Sequence, residues 1–151
     1  MLSAFQSELA ALNRFIEVLQ REQTALVEVD VNQLITISSE KIKQAEQLNR
    51  LAQARVTALK NIGIEGGLAQ VEAWLASQPQ DMATAWHSLI ETAKTAQQLN
   101  LTNGKLIESQ LKNNQQALNT LVSAATQSAV YGADGQPRTT YPASQRTLGK
   151  G

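Results

Sequence analysis

The sequence predicts an all-α fold: an antiparallel hairpin of two long helices with a short connecting helix, forming a coiled-coil-like bundle, followed by a disordered C-terminal tail. The 151-residue chain is rich in Ala, Leu and Gln, which are good helix formers. Glycine and proline are absent from 2–60 and occur once, as Gly104, in 81–130. Apolar residues recur at spacings of three and four in both stretches, which is the helical period. The length fits one helical domain over 1–130.

The first long helix, about 2–60, is predicted from one apolar stripe. The stripe contains Leu2, Phe5, Leu9, Leu12, Ile16 and Leu19, and later Leu34, Ile37, Ile42, Leu48, Leu59 and Ile62. Between these two parts, in 27–31, three valines alternate with Glu28 and Asp30, a pattern that alone is typical of a strand. Because a lone strand would have no partner, we interpret this segment as a helix with a register shift near Asp30. If the helix breaks there instead, Asp30 becomes the N-cap of a following helix.

A short helix, about 68–77, is predicted between the two long ones. Gly63 is expected to end the first long helix as its C′ residue, since glycine adopts the left-handed conformation without strain. Pro79 is expected to end the short helix, and Asp81 to cap the second long helix, about 81–130. The short connector favours an antiparallel arrangement of the two long helices.

The second long helix is polar in its middle, where apolar residues would be expected. The polar residues there are Gln97, Asn100, Asn103 and Asn114. Gly104 lies there too, and glycine costs about 1 kcal/mol relative to alanine inside a helix. We therefore expect either a close approach of another backbone at Gly104 or a bend. A buried asparagine is one way in which packed helices fix their register. The tail, 131–151, contains four glycines and two prolines, and disorder is predicted because it cannot bury enough apolar surface.

Composition excludes several classes of function. With 13 Lys and Arg against 13 Asp and Glu, the chain has no net charge to attract nucleic acid. There is no cysteine, and the one histidine, His87, has no second ligand at a metal-binding spacing, so no metal site, cofactor or catalytic centre is predicted. We interpret His87 and Glu91 as a surface helix pair, and Glu22, Glu40 and Lys41 as parts of a solvated charged face.

The sequence also predicts the cellular location of the protein. No segment approaches the roughly 18 consecutive apolar residues that a membrane span requires. The N-terminus has no basic segment followed by an apolar run, so it does not resemble a secretion signal. These observations predict a cytoplasmic protein without membrane insertion.

The apolar surface that remains uncovered lies at the C-terminal end of the second long helix. It consists of Leu111, Leu118, Leu121, Val122 and Ala125. No third long helix follows to cover these side chains, and uncovered helical stripes are typical of protein-binding surfaces. Alternatively, they pack on the first long helix or in a homodimer of the free protein.

A run within the second long helix resembles the signature Asn-x-x-Asn-Gly-x-Leu-Ile of FlgN-type flagellar type III export chaperones. The matching residues are Asn100, Asn103, Gly104, Leu106 and Ile107. Tyr131 resembles the tyrosine of the family's tail motif, and the likeness covers nearly the whole chain. The sequence departs from the family in the β-branched segment 27–31 and in a longer tail.

The resemblance implies a cytoplasmic chaperone that binds the C-terminal helical segments of the hook–filament junction proteins FlgK and FlgL. Such a chaperone prevents premature assembly of its clients and delivers them to the flagellar export gate. The uncovered stripe of the second long helix would then bind the client, and Tyr131 would contact the export-gate protein FlhA. The alternative is a structural coiled-coil adaptor or dimerisation module that binds no client.

Overall fold

The structure of the chain, a computed structural model, describes residues 1–130, apart from the side chains of 125 and 127–130. Its helices are α1 (Leu2–Glu28), α2 (Val31–Asn61), α3 (Gly67–Leu75) and α4 (Gln80–Val130). The described part contains no strand, and the all-α class is confirmed. The chain divides into two compact units, Met1–Glu108 and Ser109–Gly151. The predicted disorder of 131–151 falls outside the described residues.

The structure corrects the continuity of the helix predicted over 2–60, which is two helices. Val29 has a left-handed backbone conformation with φ of 56°, and it ends α1. The Asp30 amide donates to the Ala25 carbonyl at 3.0 Å and the Val29 amide to the Leu26 carbonyl at 3.4 Å, the pattern of a Schellman motif. The Asp30 carboxylate accepts a hydrogen bond from the Gln33 amide at 3.0 Å, so Asp30 is the N-cap of α2, the alternative that the sequence left open.

Helices α1 and α2 form an antiparallel hairpin that is joined by ion pairs. Near the turn, Lys41 Nζ lies 2.8 Å from a carboxylate oxygen of Glu22. At the far end, Arg55 Nε lies 2.7 Å from a carboxylate oxygen of Glu8. Glu8 and Glu22 are both buried, so the solvated face expected for Glu22 is wrong: its partner comes from the other arm of the hairpin. Buried carboxylates require such partners, because desolvation of an unpaired charge is costly.

Helix α4 lies beside α1 and runs parallel to it over the first unit. The rings of Phe5 and Trp86 pack with centroids 5.2 Å apart, and Asn103 Nδ2 lies 2.8 Å from the Leu19 carbonyl oxygen. Residue numbers rise together along both helices, which defines the parallel direction. Phe5 is fully buried, and burial of such a side chain contributes about 1.5–3 kcal/mol. Other members of this core are Leu12, Leu59, Ile64, Val71, Leu75 and Leu89.

The short helix α3 lies at the end of the first unit where α4 begins. Gly63, with φ of 81°, ends α2 in a second Schellman motif, as the sequence predicted. Val71 and Leu75 on one face of α3 are buried in the core. Helix α3 ends at Leu75, before the predicted stop at Pro79, and Asp81 lies inside the first turn of α4 rather than at its cap.

Candidate protein-binding surface

The predicted client-binding residues lie on the part of α4 that belongs to the second unit. Leu111, Leu118, Leu121 and Val122 are each 60–66% exposed, and we call these four residues the C-terminal stripe. Among the described residues, nothing buries them. The side chain of Ala125 and the whole of Tyr131, which the sequence also assigned to function, lie outside the described residues.

The C-terminal stripe has the geometry of a helix-packing surface. At 3.6 residues per turn, Leu111, Leu118 and Val122 fall within an arc of about 40°, and Leu121 lies about 60° outside this arc. The only charged side chain in 109–124 is Lys112, and this segment contains no carboxylate. A side chain such as leucine that is exposed in this way loses the hydrophobic stabilisation that burial would provide. The surface is therefore suited to another apolar helix.

Only one residue of the chaperone-like signature lies in the core. Asn103 is fully buried, and its Nδ2 donates hydrogen bonds to the Leu19 carbonyl and to a Glu22 carboxylate oxygen, both at 2.8 Å. Because Glu22 also accepts from Lys41, one polar network joins α1, α2 and α4. This arrangement fits the expectation that a buried asparagine fixes helix register. The remaining signature positions are exposed at Asn100, Gly104 and Ile107, and half-buried at Leu106.

Among the described residues no other backbone approaches Gly104 closely, so this explanation of the glycine is wrong. A Cβ atom built at this position meets nothing within 4 Å. The glycine also lies inside a regular helix and has no positive φ. Its place in the signature is therefore not explained by packing within the described residues.

The end of the first unit near α3 carries a second polar cluster. Trp86 Nε1 donates to a Glu72 carboxylate oxygen at 2.9 Å, and His87 Nε2 lies 3.0 Å from the other oxygen. These hydrogen bonds, with that of His87 the larger effect, hold the pKa of Glu72 below its ordinary value. The predicted pair of His87 with Glu91 is wrong, because Glu91 instead pairs with Lys94 at 2.7 Å.

The described part of the chain contains neither a candidate metal site nor a candidate membrane-spanning helix. No group of three or more His, Cys, Asp or Glu side chains there is arranged to hold a metal ion. None of the helices in the described range is long and apolar enough to cross a membrane.

The sequence missed a second exposed apolar surface, at and beyond the α1–α2 turn. Val27, Val29, Val31, Ile35 and Ile42 are each 59–69% exposed, and we call these five residues the turn patch. The sequence assigned Ile42 to the buried stripe, but Ile37 faces the core and Ile42 lies on another side of α2. The sequence signal for the turn patch is the β-branched composition of 27–31, from which only a change in local backbone structure was predicted.

Comparisons with known proteins match nearly the whole chain. The model of a family described as "FlgN protein" matches residues 1–139. The Flagella synthesis protein FlgN of Yersinia enterocolitica is 29% identical over 133 residues, which cover 87% of this chain and 84% of that protein. The protein of the same name from Salmonella typhimurium is 30% identical over 117 residues, or 78% of this chain and 74% of its own length. No solved structure matches the chain.

Proposed function

Since this chain belongs to the FlgN family, whose model spans residues 1–139, we propose that it is an export chaperone of the bacterial flagellum. In this proposal it binds its client proteins through the C-terminal stripe. The observation that carries the proposal is the exposure of all four stripe residues on a helix whose neighbouring side chains are also largely exposed. The curated relatives named above are flagella synthesis proteins, which supports the flagellar setting.

The clients that fit this surface are apolar helical segments, and we assign them to the C-terminal ends of the junction proteins FlgK and FlgL. An amphipathic helix laid against the stripe buries apolar surface on both partners and completes a mixed helical bundle. While the chaperone covers the apolar segment of the client, the client cannot assemble in the cytoplasm before it is exported. Because release must follow, the dissociation constant is expected in the range of about 1 μM to tens of nanomolar.

Delivery requires a second contact, which we assign to Tyr131 and the export-gate protein FlhA. The support is the resemblance of the sequence around Tyr131 to the family's tail motif. An aromatic side chain provides a large contact area with little loss of side-chain entropy, which suits a docking anchor. No catalytic group is needed in either step.

The client-binding step is tested with the last helical segment of a FlgK-type protein by calorimetric titration. We expect binding to the wild-type chain and a loss of at least about 100-fold in the variant Leu118→Asp, because a carboxylate is forced into the apolar contact. Leu68→Asp is the matched control: Leu68 is 60% exposed, as Leu118 is, but it lies on α3. Absence of binding at tens of micromolar by a folded wild-type chain would contradict the proposal.

The delivery step is tested separately in cells. The variant Tyr131→Ala is expected to bind the client segment with unchanged affinity but to reduce secretion of FlgK into the medium. Equal secretion from wild-type and variant strains would show that Tyr131 is not the docking residue. Loss of client binding by the variant would also count against the separation of the two roles.

A structural adaptor remains the alternative function, because the same exposed stripe is suited to permanent self-association. Sedimentation distinguishes the two. A dimer that does not dissociate on dilution and that binds no client segment would favour the adaptor.

A further inference from the structure

The side chains beside the C-terminal stripe are polar and, with one exception, uncharged. Around α4, Gln115, Asn119 and Lys112 lie about 20°, 60° and 80° beyond one edge of the arc that contains three of the stripe residues. Asn114 lies about 40° beyond the other edge. All four side chains are exposed, and none is bonded to another side chain of the described residues. These groups are therefore available to a partner that covers the stripe.

These flanking groups match a carboxylate better than a cation. Each of the four carries a hydrogen-bond donor, whereas a carboxylate offers acceptors only. Lys112 is the single charge in 109–124, and this segment contains no Asp or Glu. A carboxylate of a partner can thus form a charge-assisted hydrogen bond with Lys112 and accept from the amides. A lysine or arginine of a partner would instead meet Lys112 with no carboxylate of this segment to balance it.

The zero net charge of the chain conceals an unequal distribution along the sequence. Residues 1–108 contain nine Lys and Arg against twelve Asp and Glu, a net charge of −3, whereas 109–151 contain four against one, a net charge of +3. An acidic partner is therefore attracted to the part of the sequence that contains the stripe and repelled by the rest. The apolar stripe between the polar flanks favours an amphipathic helix over a nucleic acid, which presents no apolar helical face.

We propose that the C-terminal stripe selects its clients by charge: the client is an amphipathic helix whose apolar face is flanked by Asp or Glu, and Lys112 is the specificity-determining residue. This inference rests on the client-binding role proposed for the stripe. Burial of the apolar faces supplies most of the affinity, because one exposed ion pair changes a dissociation constant only about 1.5- to 5-fold. The charge therefore acts as a discrimination among apolar helices, against those that are flanked by Lys or Arg.

Three synthetic helical peptides test the charge preference of the full chain. They share the same leucines on one face and differ only in the flanking residues, which are all Glu, all Gln or all Lys, three residues of similar helix propensity. Fluorescence anisotropy of the labelled peptides at about 50 mM salt gives the dissociation constants. We expect the Glu peptide to bind most tightly and the Lys peptide at least about threefold more weakly. Equal affinities, or tighter binding of the Lys peptide, would overturn the proposal.

Salt and a peptide without leucines separate the two parts of the contact. At about 0.5 M salt the screening length falls to about 4 Å, so the difference between the Glu and Lys peptides should shrink while the Gln peptide binds as before. A fourth peptide, with Glu flanks and with Gln in place of every leucine, is expected not to bind at tens of micromolar. If it bound as tightly as the peptide with leucines, the surface would recognise charge alone, as a surface for nucleic acid does, and the proposal would be wrong.

Charge reversal at Lys112 tests the residue that discriminates. Lys112→Glu is expected to abolish or reverse the preference for the Glu peptide and to leave the affinity for the Gln peptide within about twofold, which a structural defect would not do. Lys60→Glu is the matched control, because Lys60 is also exposed and gives the same change in net charge, but it lies on α2. If both variants lost the preference equally, net charge alone would select the client, and the role of Lys112 would be wrong.

The FlgK-type segment separates this proposal from the chaperone function. We expect Leu118→Asp to weaken binding of the FlgK-type segment and of all three leucine-containing peptides, because they use one surface. If the segment bound through the stripe but the three peptides bound equally well, charge selection would be refuted and the chaperone function would stand. If the Glu peptide bound most tightly through the stripe but the folded chain did not bind the segment, the client assignment would be refuted and charge selection would stand.

Discussion

At the scale of single residues, the turn between α1 and α2 is held by a valine in a conformation that valine disfavours. Its φ of 56° lies in the left-handed region, where the Cβ atom of an L-residue approaches the following carbonyl oxygen and costs about 1–2 kcal/mol. The surrounding Schellman hydrogen bonds and the N-cap at Asp30 maintain this conformation. The exposed side chain of Val29 makes no compensating contribution to the core.

Val29→Gly is therefore expected to raise the free energy of unfolding by about 0.5–1 kcal/mol. Relief of strain is partly offset by the greater backbone entropy of glycine in the unfolded chain. Urea unfolding followed by circular dichroism measures the change. Glu28→Gly, one residue earlier at the last residue of α1, is the control and should not raise stability, because its backbone is not in the left-handed region. A destabilised Val29→Gly variant would show that the turn is not strained.

The Glu72 cluster predicts a dependence of stability on acid. Hydrogen bonds from His87 and Trp86 lower the pKa of Glu72 in the folded protein, so the folded state favours the ionised carboxylate. The stabilisation is present above the ordinary pKa and is lost as the pH falls through the lowered value. We expect the stability difference between wild type and Glu72→Gln to shrink below about pH 4.5. Urea titrations from pH 7 to 3 measure it, with Glu46→Gln as the control for removal of an exposed charge. A difference that stayed constant would exclude this linkage.

At the scale of helices, the sequence predicted the end of α2, which Gly63 marks, and missed the break at Val29, where there is no glycine. Gly63 ends α2 as expected, because glycine is the usual residue of a Schellman motif. The same motif ends α1 at Val29, where the residue type gives no such signal. Only Asp30, a good N-cap, marked the break, and a single capping residue is outweighed by helical periodicity on both sides.

The side-chain contacts between helices were harder to predict than the helices themselves. Glu8 and Arg55 are 47 residues apart, so no rule based on spacing within one helix connects them. Of the four polar residues that the sequence placed in the middle of the seam, only Asn103 is buried, and its partners Leu19 and Glu22 are known only from the fold. The exposure of the stripe, by contrast, could be predicted from the sequence, since the prediction needs only helical periodicity and the expectation that 131–151 forms no further helix.

Gly104 gives a prediction about α4 as an element. The position is helical and exposed, and a Cβ atom there would meet no other atom within 4 Å. Gly104→Ala should therefore stabilise the protein by up to about 1 kcal/mol, the helix-propensity difference. Thermal unfolding measures the gain, and Ser109→Gly in the same helix is the reverse control. Loss of stability in Gly104→Ala would show that the glycine meets a steric requirement.

At the scale of the whole molecule, the buried side chains among the described residues are all in the first unit. The core extends from Phe5 to Ala96, with Asn103 as the last buried residue in the described part of the chain. The second unit contributes exposed side chains in 111–124. A protein assembled in this way separates the residues that stabilise it from those that we propose for binding.

A chain that ends at Glu108 should accordingly remain folded. We expect its thermal midpoint within about 4 °C of the full chain, which corresponds to less than about 1 kcal/mol for a domain of this size. Calorimetry at low protein concentration makes the comparison without association. The shortened chain should bind no client segment, whereas removal of 131–151 alone should preserve client binding. A large fall in the midpoint would show that the second unit supports the core.

The parallel arrangement of α1 and α4 has a consequence for the order of folding. Contacts within the α1–α2 hairpin join residues 19 to 47 positions apart, whereas Asn103 meets α1 across 81 to 84 positions. Loop-closure entropy rises with that separation, so the hairpin is the first tertiary contact available to the chain. Until α4 arrives, Phe5 lacks the aromatic ring of Trp86 and Glu22 lacks the amide of Asn103. Refolding should thus be limited by the docking of α4, and substitutions at Trp86 should slow folding more than those at the turn.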